Sequence, residues 1–96
     1  MRRTKTMIVG DVLKEFFAQP HIAAKVAEGR LPETWREVVG NRVADVTTSL
    51  RLENRVLHVH ITSSAIRQEL FMRRNALVEE INRMAGLRLV NMVIIR

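Results

Sequence analysis

Apolar and polar positions along the chain change period three times, and each change marks a structural element. From Ile8 to Phe17 the apolar positions Ile8, Val9, Val12, Leu13, Phe16 and Phe17 follow the i, i+3, i+4 spacing of an amphipathic helix. Gln19-Pro20 interrupts it, because the residue before a proline is pushed out of the helical region. A short helical segment, His21 to Glu28, follows and is ended by Gly29. Leu31-Pro32-Glu33-Thr34-Trp35 reads as a new start, with proline in the first turn and Glu33 complementing the helix dipole. Trp35, Val38, Val39, Val43 and Val46 continue the helical spacing with a bend near Gly40.

At Leu50 the period falls to two. Leu50 and Leu52, then Leu57, Val59 and Ile61, alternate with Arg51, Glu53, His58 and His60, the pattern of an antiparallel hairpin turning at Glu53-Asn54-Arg55. Asn54 is the turn residue best suited to positive φ. Thr62-Ser63-Ser64 is an N-cap signal, and the helical period returns as far as Ala85, stopped by Gly86. On that long helix Ile66, Leu70, Leu77, Ile81 and Met84 form one stripe, extended by Phe71 and Val78. Leu87 to Ile95 closes the chain as a third strand, expected to be mostly buried on both faces. The order helices, strand, strand, long helix, strand predicts an α+β fold: a three-stranded sheet covered by helices on one face.

With 96 residues there is room for one domain, and 47% apolar residues suffice for a packed core. Absence of cysteine excludes disulfides and thiolate metal sites and leaves a cytoplasmic setting as the expectation. Gly10-Asp11 cuts off the apolar stretch an export signal needs, and no window reaches the length of a membrane span. The net charge is +6, of which Arg2, Arg3 and Lys5 supply half, so residues 1–6 read as a flexible basic tail and 7–96 as the folded domain. Arginine outnumbers lysine 13 to 3. Its planar fork suits phosphate or carboxylate recognition, so the partner implied is a nucleic acid or an acidic protein surface.

Catalytic chemistry finds little support. His58 and His60 share one strand face, but a zinc site wants at least three protein ligands and no third is signalled. His21 reads as a helix-start residue. No phosphate-binding glycine loop, dinucleotide fingerprint or nucleophile elbow occurs, and Glu79-Glu80 and Glu33/Glu37 read as solvated helix surface. No enzyme activity, cofactor, metal or small-molecule substrate is expected. Arg67 and Arg74 are more informative, because they fall within the apolar arc of the long helix. Either their stems snorkel through a groove between two apolar sub-faces, or they flank an exposed Phe71 as a docking edge. Trp35 reads as a core anchor between helix and sheet.

The segment Trp35-Arg36-Glu37-Val38-Val39-Gly40, the strand Val56-Leu57-His58-Val59-His60-Ile61, the helix start Ser63-Ser64-Ala65-Ile66-Arg67-Gln68-Glu69-Leu70 and the closing Asn82…Gly86…Val93 stretch occur in the order found in the DciA family. From Ile8 to Arg96 the chain resembles that family. The resemblance implies a KH-like domain associated with the bacterial replicative helicase, acting as its loader or operator and able to bind DNA. Better-known members carry a long extension after this domain, and the Gly-x-x-Gly loop by which KH domains clamp a nucleic-acid backbone does not occur here. The contact residues expected are Arg67, Arg73, Arg74 and Phe71, assisted by Arg2, Arg3 and Lys5, with the helicase and, weakly, DNA as partners. An RNA-binding module and a dimerisation domain pairing a strand edge with its own copy are the competing readings.

Overall fold

The structure, a computed structural model, describes residues 14–16 and 18–96. The expected basic tail and most of the expected first helix lie outside the described residues; Lys14, Glu15, Phe16 and Ala18 are helical. The elements that follow are α1 (Pro20–Gly29), α2 (Leu31–Val39), α3 (Asn41–Asp45), β1 (Thr47–Glu53), β2 (Val56–Ile61), α4 (Ser64–Met72), α5 (Arg74–Ala85) and β3 (Met92–Ile95). Strand order is β1-β2-β3, with β1 antiparallel and β3 parallel to β2. The α+β class and the helix-covered three-stranded sheet are those the residue pattern predicts.

Side-chain alternation sorts the sheet into two faces. Leu50, Leu52, Leu57, Val59, Ile61 and Val93 turn toward the helices, where Leu57, Val59, Ile61 and Val93 are buried. Ser49, Arg51, His58, His60 and Ile94 turn to the open face. On the covered side, Ile66 and Leu70 of α4 and Leu77, Val78 and Ile81 of α5 fill the core together with Trp35. Trp35 is 1% exposed, the anchor its composition suggests. Its indole N–H donates to Thr47 Oγ1 (3.0 Å), whose hydroxyl donates in turn to the Val43 carbonyl (2.8 Å). One relay thus ties α2, α3 and the first residue of β1 together while satisfying the polar atom of the buried ring.

Turn chemistry follows the residues closely. Asn54 and Arg55 both have positive φ (53° and 65°) between the paired residues Glu53 and Val56, a two-residue hairpin whose twist matches the strands. Arg55 is kept in that conformation by tethers at both ends of the residue. Its guanidinium donates to the Arg88 carbonyl (2.9 Å), and its own carbonyl accepts from Asn91 N–H (2.7 Å). Ser63 caps α4 by accepting from Ile66 N–H (3.3 Å). Gly40, between α2 and α3, has φ 91° and ψ 164°, a region open essentially to glycine alone.

Three expectations are corrected. The helical run expected from Ser64 to Ala85 is divided at Arg73 (φ −104°, ψ 12°) into α4 and α5. No glycine or proline marks the break. Arg73 N–H folds back on the Leu70 carbonyl (3.0 Å), and the Arg74 guanidinium takes the Phe71 carbonyl (2.9 Å), satisfying the end of α4 from a side chain. Phe71, expected to extend the apolar stripe, is 50% exposed, since it lies about 100° around α4 from the buried Leu70; Met84, expected in the same stripe, is 39% exposed.

The third strand is also shorter than expected, and Met92 is 54% exposed rather than buried. Leu87 to Asn91 run as a loop in which Leu89 and Val90 are nevertheless buried. Asn82 makes that possible: its Oδ1 accepts from both Leu89 N–H and Val90 N–H (2.9 Å each), and its Nδ2 donates to the Val90 carbonyl (2.9 Å). A side chain supplies the partners that a sheet neighbour would give. Finally, Gly29 is the last helical residue of α1, and Arg30 takes the C-cap position.

Two stability outcomes follow. Gly40→Ala and Gly29→Ala both place a Cβ with no atom within 4 Å, so only backbone conformation separates them. In urea unfolding, the first should destabilise by about 1–3 kcal/mol and the second should be neutral or stabilise by up to about 1 kcal/mol. Asn82→Ala, which strands the Val90 N–H and carbonyl and leaves Leu89 N–H only the Leu87 carbonyl (3.0 Å), should destabilise by about 2–3 kcal/mol, visible in the same experiment.

Candidate functional site

The break at Arg73 shapes the surface around it. On α4, Ser64, Arg67, Gln68 and Phe71 lie at successive i+3 and i+4 steps and therefore share one face. That face looks onto the end of β3 and forms, with Ile95, a depression of about 450 Å³. A second depression of about 330 Å³ continues from it, lined by Phe71, Arg74, Asn75 and Val78 on the helical side and by Asn91 to Ile95 on the strand side. Phe71 and Ile95 are common to both, so the two make one groove between the α4–α5 pair and β3.

Arg67, Phe71 and Arg74 are brought together here as the sequence suggests, but each arginine is differently employed. Arg67 is half-buried; its Nη1 donates to the Ile61 carbonyl (2.8 Å) and its Nη2 to Ser64 Oγ (3.3 Å). That is the snorkelling reading, with the stem crossing apolar surface and the head tying α4 to the end of β2. The Arg74 guanidinium lies 4.2 Å from the centroid of the Phe71 ring while donating to the Phe71 carbonyl. Stacking holds the exposed ring and the charge in one fixed geometry. Both guanidiniums keep donors beyond those used, since each carries five. Arg73, at the junction, is exposed and lines neither depression, and its side chain makes no hydrogen bond or ion pair among the described residues. Arg2, Arg3 and Lys5 lie outside the described residues.

No residue lining the groove is acidic. That distinguishes it from the depression of about 460 Å³ between α1, α2 and the end of α5, where Arg30 already faces Glu33 at 4.0 Å and Glu37 also lines the wall. Charge in the groove by β3 is uncompensated; charge in the other is internally balanced. The electrostatics therefore favour the groove beside β3. The residue pattern reads Val78, Met92 and Ile95 as apolar stripe or strand positions and does not mark Asn75; none is expected at the site, because which helix face meets which strand edge is a tertiary fact without a local signal.

The histidines sit elsewhere. His60 Nδ1 is 2.8 Å from Thr48 Oγ1, and His58 Nδ1 is buried with no hydrogen-bond partner. Both belong to the open sheet face, in a depression of about 210 Å³ with Ser49, Arg51 and Arg96. Among the described residues no three His, Cys, Asp or Glu side chains converge on a point that could hold a metal. On the outer face of α5, Arg83 pairs with Glu80 at 2.7 Å, and that hydrogen bond holds its guanidinium pKa above the ordinary arginine value.

The profile of the family described as "Dna[CI] antecedent, DciA" matches residues 8–95, nearly the whole chain. The chain belongs to the DciA family. A Mycolicibacterium smegmatis protein named "UPF0232 protein in recF-gyrB intergenic region" is 33% identical over 79 residues, which cover 82% of this chain and 41% of that protein. A UPF0232 protein of M. smegmatis strain mc(2)155 matches to the same extent. The DciA-family chain thus spans about two fifths of the length of the curated relatives it matches. No solved structure matches it.

Neighbouring positions on α4 should part sharply when truncated. Leu70, 1% exposed, is core, so Leu70→Ala should cost about 2–5 kcal/mol. Phe71→Ala should change stability by less than about 1 kcal/mol, because half the ring is in water. Urea midpoints of the two variants compare them directly.

Proposed function

We propose that this DciA-family domain is a non-enzymatic adaptor in bacterial DNA replication, acting in the cytoplasm, that engages the replicative helicase and binds DNA weakly. Family membership supports the helicase as partner. The observation that carries the assignment to a surface is the acid-free groove in which Arg67, Phe71 and Arg74 converge. Among the described residues no helix is long and apolar enough to cross a membrane, so nothing in the fold directs the groove toward lipid.

The run β2–α4–α5–β3, with its parallel strands, supports reading the domain as KH-like. Its four glycines, at positions 10, 29, 40 and 86, form no Gly-x-x-Gly clamp. DNA contact then falls to side chains. Of the three helix arginines Arg73 suits phosphate best, because its guanidinium has no internal partner, and Arg2, Arg3 and Lys5 add further positive charge to the chain. Arg67 and Arg74 are partly committed to their own backbone, which makes them positioning cations rather than mobile ones.

Two measurements test this. The purified host helicase should be retained by the immobilised domain in the presence of nuclease, and retention should fall at least tenfold with Arg73→Glu/Arg74→Glu; retention abolished by nuclease would make the domain a nucleic-acid module and the helicase a neighbour on the same strand. Fluorescence anisotropy with single-stranded DNA should give a log–log salt slope of about −0.7 per neutralised phosphate, and Arg73→Ala should reduce the slope by about that amount. An unchanged slope would remove Arg73 from the DNA contact, and tighter binding of RNA of the same sequence would favour an RNA-binding module.

A further inference from the structure

Among the described residues β3 is an edge strand: it pairs with β2 on one side and has no strand on the other. Arg96 directs both its backbone groups at β2, donating to the Val59 carbonyl (2.8 Å) and accepting from Ile61 N–H (2.7 Å). Backbone direction alternates along a strand, so the N–H and C=O of Val93 and Ile95 face away from β2, into the groove. An edge of this kind is a template for another extended chain. Proteins commonly protect edges with charge, proline or a bulge. β1, the other edge, has all but the proline: a register shift between Thr47 and Ser49, with Arg51 and Glu53 along its length. β3, Met92-Val93-Ile94-Ile95, has no charged residue and no bulge.

We infer that the groove beside β3 is a strand-addition site, which takes an extended segment of a partner protein that carries both apolar and acidic side chains on the face it turns to the helices. The inference rests on the adaptor reading above and specifies how the protein partner is held. Main-chain hydrogen bonds to Val93 and Ile95 set its direction. On the helix-facing side of the added strand, apolar side chains meet Phe71, Val78 and Ile95, and acidic side chains at other positions of that same face meet Arg67 and Arg74. Charge complementarity selects this occupant, because both groove cations lack an acidic neighbour in the lining. A nucleic-acid strand fits less well. It cannot form the ladder, the floor is aliphatic apart from Phe71, and Arg73, whose guanidinium has no internal partner, lies outside the groove.

The test uses the intact domain, the purified helicase and a fluorescein-labelled octapeptide whose odd-numbered residues are valine and aspartate in turn and whose even-numbered residues are threonine, with two further copies N-methylated at odd or at even residues. The plain peptide should bind and displace the helicase. One methylated copy should bind at least tenfold more weakly and the other unchanged, the signature of pairing along a single edge. Phe71→Ala/Arg74→Glu, with fold verified by circular dichroism, should weaken peptide binding at least tenfold. Helicase capture without peptide binding, equal binding of both methylated copies and the plain peptide, or displacement of the peptide by a twelve-residue oligothymidylate would each overturn strand addition while leaving the adaptor reading standing. Peptide binding with the full methylation signature but no helicase capture would support the strand site and remove the helicase as its occupant.

Discussion

Parallel pairing of β2 with β3 is the constraint on which the rest of the domain depends. Two antiparallel strands can be joined by a pair of turn residues, as β1 and β2 are through Asn54 and Arg55, but parallel strands require the chain to travel back along the sheet before pairing. Residues 62–91 make that journey. They must cover the apolar face of the sheet on the way, because Leu57, Val59 and Ile61 would otherwise meet water. One straight helix would carry a single stripe in a single direction. Division at Arg73 lets α4 bury Ile66 and Leu70 while α5 buries Leu77, Val78 and Ile81 with its own orientation.

The same division generates the surface chemistry. A continuous helix would use the Phe71 carbonyl for a backbone bond to residue 75. With the helix ended at Met72, that carbonyl accepts from the Arg74 guanidinium, which also stacks on the Phe71 ring. The cap and the candidate contact are one arrangement. It follows that the exposed aromatic is held in place by backbone geometry rather than by burial, which is how a half-exposed side chain can be presented without a large ordering cost on binding.

Much of the fold was legible in the residues, and what was missed has a common cause. Periods of 3.6 and 2, the Asn54 turn, the Ser63 cap and the Gly40 bend are local signals, each carried by a few adjacent residues, and each corresponds to an observed feature. The break at Arg73 and the looped start of the final segment depend on side chains that satisfy backbone groups elsewhere: Arg74 on the Phe71 carbonyl, Asn82 on Leu89 and Val90 seven and eight residues away. A pattern of apolar positions does not reveal where a polar side chain will spend its hydrogen bonds. For the same reason Arg67 and Arg74 could be recognised as out of place on the apolar arc, whereas their tethers, and the strand edge opposite them, could not.

Those tethers divide the arginines by function. Arg67 and Arg74 have lost rotamer freedom before any partner arrives, so a carboxylate meeting them finds donors already aimed and loses less entropy in forming the pair. Arg73 retains that freedom and its hydration. A phosphate track, which slides and varies in position, is served by such a mobile cation at modest affinity and strong salt dependence. A protein segment held in one register is served by fixed ones. Three arginines within eight residues can thus support two kinds of contact on adjoining surfaces, and the break between α4 and α5 is what separates them.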